Sequence, residues 1–208
     1  MSRSEKVRNV YRWCANLYDF SRKIWNPLFA SQAEKVFVRI LRSYVRDNGA
    51  VLDAGVGTGL NIQRFIDNKI VFSSYEGIDL TPEMIAVAKR KFREVKNLTF
   101  RVGDITKIET NEKYDTIVST LVFSHLERQD EVVQKLLLSL RPNGLFFLMF
   151  FTEKAVMSWV DRLAGRFYQS IFQCKPVAKK IVEKFPPAEI AEHFPCLGGQ
   201  ISIFVFRA

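Results

Sequence analysis

An α/β fold, a mostly parallel sheet with helices on its faces, is what this 208-residue sequence predicts. Three observations carry that expectation. First, a short apolar run, Val51-Leu52-Asp53-Ala54, meets alternating glycines at Gly55, Gly57 and Gly59 and then an amphipathic segment over 61–68. This reads as strand, tight turn and helix. Second, two further strand-like stretches, 73–80 and 97–105, run to carboxylates at Asp79 and Asp104. Third, residues 114–120 and 145–151 are apolar on both faces, as central parallel strands covered by helices must be.

The remaining elements follow in chain order. Residues 7–41 are helical in character and aromatic-rich (Tyr11, Trp13, Tyr18, Phe20, Trp25, Phe29, Phe37), with Asn26-Pro27 as the break between two helices. Residues 33–46 place Val36, Phe37, Ile40, Leu41, Tyr44 and Val45 at helical spacing and stop at Asn48-Gly49. After the strand–glycine–helix unit and the second strand, Thr81 caps a helix whose first position is Pro82. The third and fourth strands follow, and residues 121–126 carry the chain off the fourth. A helix over 129–140 leads to a turn at Arg141-Pro142-Asn143-Gly144 and the fifth strand over 145–151. Residues 153–184 are mostly helical, with an apolar face that begins Val156, Trp159, Val160, Leu163, Phe167. Residues 185–194 read as a short capped helix, the strand before Gly198 shrinks to Cys196-Leu197, and a last strand covers 200–206. With no repeat, low-complexity tract or linker, the expectation is a single domain over 1–208: helices over 1–45, a core over 50–151, and helices with the last strand over 152–208.

Composition bounds the function classes. Hydrophobic residues make up 48% and charged residues 25%, ordinary for a globular chain with a sizeable core. No stretch reaches the roughly 20 uncharged apolar residues of a membrane span, and the charged Met1-Ser2-Arg3-Ser4-Glu5-Lys6 start has no apolar core behind it, so no secretory signal is expected. Cys14, Cys174 and Cys196 are odd in number and widely spaced. They argue against a zinc site or disulfide framework and for a cytoplasmic setting, and no histidine or carboxylate pattern points to a metal. The net charge of +9 is the unusual property. It is read as attraction to nucleic acid, to anionic lipid headgroups at a membrane periphery or to an acidic substrate, or else as a basic solvated surface.

The glycine loop narrows the choice. Glycine allows positive φ and close approach, so three in five residues make a place where a ligand can come near the start of a helix. A phosphate-binding loop needs a lysine after its last glycine, and none stands here until Lys69. A dinucleotide fingerprint needs its third glycine where this chain has Leu60. The compressed Gly-x-Gly-x-Gly after Leu-Asp-Ala resembles the first motif of the class I S-adenosylmethionine-dependent methyltransferases, whose fold is Rossmann-like. Asp79, 20 positions past Gly59, the Asp104-Ile105 pair and the Pro-Asn-Gly turn before the fifth strand match that family in register. The lead-in Tyr11 to Phe20 with Trp25-Asn26 is similar to the ubiquinone and menaquinone biosynthesis methyltransferases, as is the ending. The resemblance covers residues 10–150 well and the remainder loosely. It implies an N-terminal helical lid and an antiparallel C-terminal edge strand.

The resemblance also implies roles. S-adenosylmethionine is the donor and S-adenosylhomocysteine the product. Gly55, Gly57, Thr58 and Gly59 cradle the methionine moiety and Asp53 orients its amino group, directly or through water, while Asp79 accepts from the ribose hydroxyls. Leu80 and Ile105 sandwich the adenine beside Asp104, Ser119 and Thr120 face the methionine end, and Tyr18 lines the pocket or simply packs its helix. Methyl transfer from a sulfonium is an in-line displacement, so the protein must align donor and acceptor, exclude water and, where needed, remove a proton. His125, just past the fourth strand, is the candidate base, against a purely loop-packing role; Asp19 is the runner-up and His193 is structural. The aromatic first helix and 18 phenylalanines favour a small-molecule or lipid-like acceptor. Two alternatives are an RNA or other nucleic-acid methyltransferase, against which Ser119-Thr120 stands where base-flipping amino-methylating enzymes carry Asn/Asp-Pro-Pro-Tyr/Phe, and an S-adenosylmethionine-binding protein without turnover.

Overall fold

The structure, a computed structural model, describes residues 31–172, 174–196 and 198–208 together with Glu5 and Arg12. The expected N-terminal lid, with Tyr18 and Asp19, lies outside the described residues. In chain order the elements are α1 (Ser31–Tyr44), β1 (Gly49–Ala54), α2 (Leu60–Asp67), β2 (Phe72–Asp79), α3 (Pro82–Lys91), β3 (Leu98–Val102), β4 (Tyr114–Thr120), α4 (Gln129–Leu137), β5 (Leu140–Thr152), α5 (Trp159–Phe172), α6 (Lys179–Val182), β6 (Ile190–Cys196) and β7 (Gly199–Arg207). The strands form one seven-stranded sheet in the order β3-β2-β1-β4-β5-β7-β6. Pairing is parallel from β3 to β5, and β7 runs antiparallel to both β5 and β6. This is the Rossmann-like arrangement expected, and the C-terminal strand is antiparallel. β6 occupies the outermost place beyond it.

The centre of the sheet is where apolar runs are longest. From Leu145 to Phe151 every residue of β5 is buried, with Phe146, Phe147, Leu148, Met149 and Phe150 fully so. The alternation of a strand sends Phe147 and Met149 into one core layer, with α1 (Phe37, Leu41) and α2 (Ile62, Phe65), and Phe146, Leu148 and Phe150 into the other, with α4 (Val132, Val133, Leu136). Both faces are thus covered, as a parallel sheet requires.

Three expectations need correction. Residues 190–196 form strand β6, where a helix over 185–194 was expected. Pairing with β7, from Cys196 opposite Gly199 to Ile190 opposite Val205, decides the conformation, and the edge position tolerates Pro195, which faces Gln200. The turn at Arg141-Pro142-Asn143-Gly144 is absorbed into the strand: β5 already pairs with β4 at Leu140, shifts register between Tyr114 and Thr116, and the positive φ of 63° at Asn143 lets its N–H donate to Ala208 O at 3.1 Å. The third strand ends at Val102, so Asp104 caps a 3-10 turn, Ile105–Lys107, rather than finishing a strand. Thr81 does hold the N-cap position of α3, with Pro82 following, but its hydroxyl makes no capping bond.

A cavity-forming change in β5 tests this division of the core. Phe147→Ala should lower the unfolding free energy by about 3–5 kcal/mol in urea titrations, against a near-neutral effect for Leu138→Ala at a side chain 63% exposed.

Candidate functional site

Strand order reverses between β1 and β4, so the connections leaving their carboxyl ends diverge to opposite faces and open a crevice there. A cavity of about 440 Å³ occupies it, within the size range of small-ligand sites. Its walls come from the loops after β1, β2, β3 and β4 and from one side of α4.

The glycine loop divides its labour. A Cβ at Gly55 would meet Val122 Cγ2 at 2.2 Å and one at Gly59 would meet Phe92 at 2.3 Å, so these two are glycine because neighbours pack against them. At Gly57, φ is +52° and no heavy atom lies within 4 Å of a Cβ position, which leaves room for a ligand to touch bare backbone. Gly55 and Gly57 line the cavity. Four of the loop's N–H groups bond within the protein: those of Gly55 and Val56 donate to Ile78 O at 2.8 and 2.9 Å, Gly57 to Asp79 Oδ2 at 2.9 Å, and Gly59 to Val56 O at 2.9 Å. Sequence reasoning expected bare donors at the helix start. The structure uses these four to hold the loop's shape.

Asp79 is the junction. Its Oδ2 accepts from Gly57 N–H, its Oδ1 from Thr81 N–H at 2.8 Å, and its backbone oxygen from Gly103 N–H at 2.8 Å. Burial pushes its carboxyl above the usual carboxylate range, while the backbone donors pull it back. It faces the cavity together with Leu80, Ile105 and Asp104, whose Oδ1 accepts from the N–H and hydroxyl of Thr106 at 3.0 and 2.8 Å. Thr120 and His125 line it as well, His125 at the end of the 3-10 turn Phe123–His125.

Four expected residues sit behind the wall. Ser119 is fully buried and its hydroxyl donates to Ala54 O at 2.7 Å, which clamps β4 to β1. Thr58 is buried and, like Gly59, does not line the cavity. Asp53 is fully buried as well. Asn61 Nδ2 donates to its Oδ1 at 2.9 Å and the Tyr75 hydroxyl to its Oδ2 at 2.8 Å, so both oxygens are engaged within the protein. The chain of contacts continues inward, from Asn61 to Arg64 and from Arg64 to Glu34 of α1, with the guanidinium 5.0 Å from the Phe37 ring centre. Tyr18 lies outside the described residues. His193 is on β6, where its Nδ1 lies 2.8 Å from Ser202 Oγ.

Residues that sequence reasoning passed over complete the wall. Leu121 holds a φ of 62°, a costly conformation for a leucine, and turns the chain off β4 so that Val122 covers Gly55. On α4, Glu131, Val132 and Lys135 face the cavity, and Met84 does so from the first turn of α3. Their helical spacing after the strand ends was legible; which face would turn inward was not. Among the described residues no three His, Cys, Asp or Glu side chains gather as a metal set.

Burial pushes the Asp53 carboxyl up to about 7 from 3.8, against the opposing pull of its Asn61 and Tyr75 hydrogen bonds and the Arg64 charge. A carboxyl raised in the folded state favours folding while it is protonated. That stability is complete below about pH 4 and is lost as pH rises through about 7. Between pH 4 and 8 the wild-type unfolding free energy should therefore fall by up to about 4 kcal/mol more than that of Asp53→Asn, read in urea titrations across that range; parallel pH profiles would contradict it. For the loop, Gly57→Ala should cost only about 1 kcal/mol of backbone strain, and Gly55→Ala at least twice that, because its methyl collides with Val122.

Known proteins share this design. Residues 46–181 match a family model described as a methyltransferase domain. Phosphatidylethanolamine N-methyltransferase of Cereibacter sphaeroides is 27% identical over 206 residues, covering 95% of this chain and 94% of that protein. Malonyl-[acyl-carrier protein] O-methyltransferase of Halalkalibacterium halodurans is 33% identical over 71% of this chain, which spans 55% of that protein's length. Among solved structures, the N-methyltransferase NodS from Bradyrhizobium japonicum, in complex with S-adenosylhomocysteine, superposes with a TM-score of 0.61 at 17% identity, over 84% of this chain and 86% of NodS, and so shares the fold. The quinone group is not singled out by these relatives. The glycine loop, the acidic tip of β2 and the matched family model together place this chain among the class I S-adenosylmethionine-dependent methyltransferases.

Proposed function

We propose that this chain methylates a small-molecule or lipid-like acceptor, holding donor and acceptor together in the crevice between the glycine loop and the β4–α4 connection. The observation that carries the proposal is a single cavity with two unlike walls. One part of the lining has Gly55, Gly57 and Asp79; the other sets Leu121, Val122 and Leu126 around one histidine, His125, with the charged Glu127, Arg128, Glu131 and Lys135 beyond them. A full-length relative named for phosphatidylethanolamine supports an amphipathic acceptor, and the net charge of +9 suits work at an anionic membrane surface.

When bound, S-adenosylmethionine supplies a methyl group already activated by its sulfonium charge. Asp79 would accept from the ribose hydroxyls with the lone pairs that Gly57 and Thr81 leave over. Gly55 and Gly57 would let the methionine part approach the backbone, with Thr120 at its end, and Leu80 and Ile105 would hold the adenine beside Asp104. Asp53, Thr58, Gly59 and Ser119 would act from behind by fixing the loop, and Tyr18 would complete the pocket. Leu121, Val122 and Leu126 would exclude water and seat the acceptor's hydrophobic part. His125 would take the proton from the acceptor atom as the new bond forms.

Calorimetry with S-adenosylhomocysteine and methyl-transfer assays on phospholipid amines, phenols and thiols test this. Asp79→Ala should weaken S-adenosylhomocysteine about tenfold or more, since charge-assisted hydrogen bonds are lost and the loop loses its anchor. His125→Ala should leave that affinity within about twofold and lower kcat about a hundredfold. Unchanged affinity in Asp79→Ala would remove the ribose assignment, and unchanged kcat in His125→Ala the proton transfer.

A further inference from the structure

α5 turns an apolar stripe toward solvent. Trp159, Val160 and Leu163 fall on one helical face and are 71, 40 and 60% exposed, and Val156, just ahead of the helix, is 83% exposed. The start of the helix is firmly held. Ser158 N–H donates to Asp161 Oδ2 at 3.1 Å and Asp161 N–H to Ser158 Oγ at 3.1 Å, a reciprocal capping box. Asp161 Oδ1 also accepts from Lys154 Nζ at 2.8 Å and Gly198 N–H at 3.0 Å, which pins the helix between the end of β5 and the β6–β7 turn. The Lys154 ammonium and the Ser158 hydroxyl hold the Asp161 carboxyl below the usual carboxylate range, so this anchor stays charged. A tryptophan and a leucine fixed outward on an anchored helix are an exposed patch that a partner would cover.

Charge says which partner. Residues 153–184 carry seven basic and three acidic residues, and Arg162, Arg166, Lys175, Lys179 and Lys180 are exposed. A second copy of this +9 chain would bring like charge to the patch, and so would the chain's own residues 1–30, with six basic and two acidic residues. An anionic bilayer would bring the opposite charge, and an apolar stripe flanked by cations is what lies in its headgroup region. Location agrees. α5 leaves the carboxyl end of β5, and the return segment passes the site, with Lys175 N–H donating to Ser124 O at 3.1 Å, next to His125. We infer that α5 is an interfacial docking helix that seats the cavity-bearing edge of the sheet on an anionic lipid surface. The inference deepens the lipid-like acceptor proposed above, and vesicle binding reads it without turnover.

The test is co-sedimentation of the full chain with vesicles of phosphatidylcholine alone or mixed with phosphatidylglycerol. Sedimentation velocity, thermal unfolding and S-adenosylhomocysteine calorimetry run alongside. The wild type should pellet with the anionic vesicles, less so at high salt, and weakly with phosphatidylcholine. Trp159→Ser/Leu163→Ser should lose about tenfold or more of that binding with S-adenosylhomocysteine affinity unchanged. Val156→Glu, ahead of the helix and 83% exposed, should show the same loss without touching the fold. Equal pelleting of wild type and variants, or none by the wild type, overturns the inference. A dimer dissolved by the double variant assigns the face to a second copy, and a lowered melting temperature with unchanged vesicle binding assigns it to the chain's own residues; either outcome also overturns it. Vesicle binding without methylation of any lipid would leave the docking intact and remove the lipid acceptor.

Discussion

One carboxylate, that of Asp79, organises the site. It ends β2 and takes the N–H groups of Gly57 and Thr81, while its backbone oxygen takes that of Gly103. The glycine loop, the start of α3 and the loop after β3 therefore meet at one residue. Charge-assisted bonds of this kind are worth more than neutral ones, and here they are made at a partly buried strand tip where water competes less. Without that junction the three loops would have no common reference, and the crevice between β1 and β4 would not keep a defined shape.

Behind it stands a second layer that never meets the cavity. Tyr75, Asp53, Asn61, Arg64 and Glu34 form a continuous polar chain from β2 through β1 and α2 to α1. A buried carboxylate with one cation nearby is costly, and its two hydrogen bonds are what make it tolerable. The cost is spent on orientation: Asn61 sits in the first turn of α2, and its Oδ1 also lies 3.5 Å from the Thr120 hydroxyl at the tip of β4. The two strands that border the crevice are thereby tied to the helix that follows the glycine loop. This fits a reaction whose donor arrives activated, because the protein's main task is then to hold geometry and exclude water.

Much of this was legible in the residues. Apolar runs on both faces announce β4 and β5, and the spacing from Gly55 through Asp79 to Asp104 places three loops on one edge, because parallel strands share that edge. Side-chain direction was less legible. Asp53 and Ser119 belong to the right strands and the right ends, yet each turns inward to satisfy a partner 8 to 65 positions away, Asn61 and Ala54 respectively. Residues 190–196 show the same limit in the backbone: only pairing with β7, a contact made in space, distinguishes their strand from a short helix. Leu121 shows it in conformation, since the positive φ that lays Val122 on Gly55 leaves no mark in composition.

A crystal structure of the full chain soaked in S-adenosylhomocysteine tests the central claim most directly. The account expects density along the crevice with the ribose hydroxyls on Asp79, the adenine between Leu80 and Ile105, and the amino-acid tail against Gly55 and Gly57. A ligand bound elsewhere, or an empty crevice at saturating concentration with Asp79 engaged only by Gly57 and Thr81, would contradict it.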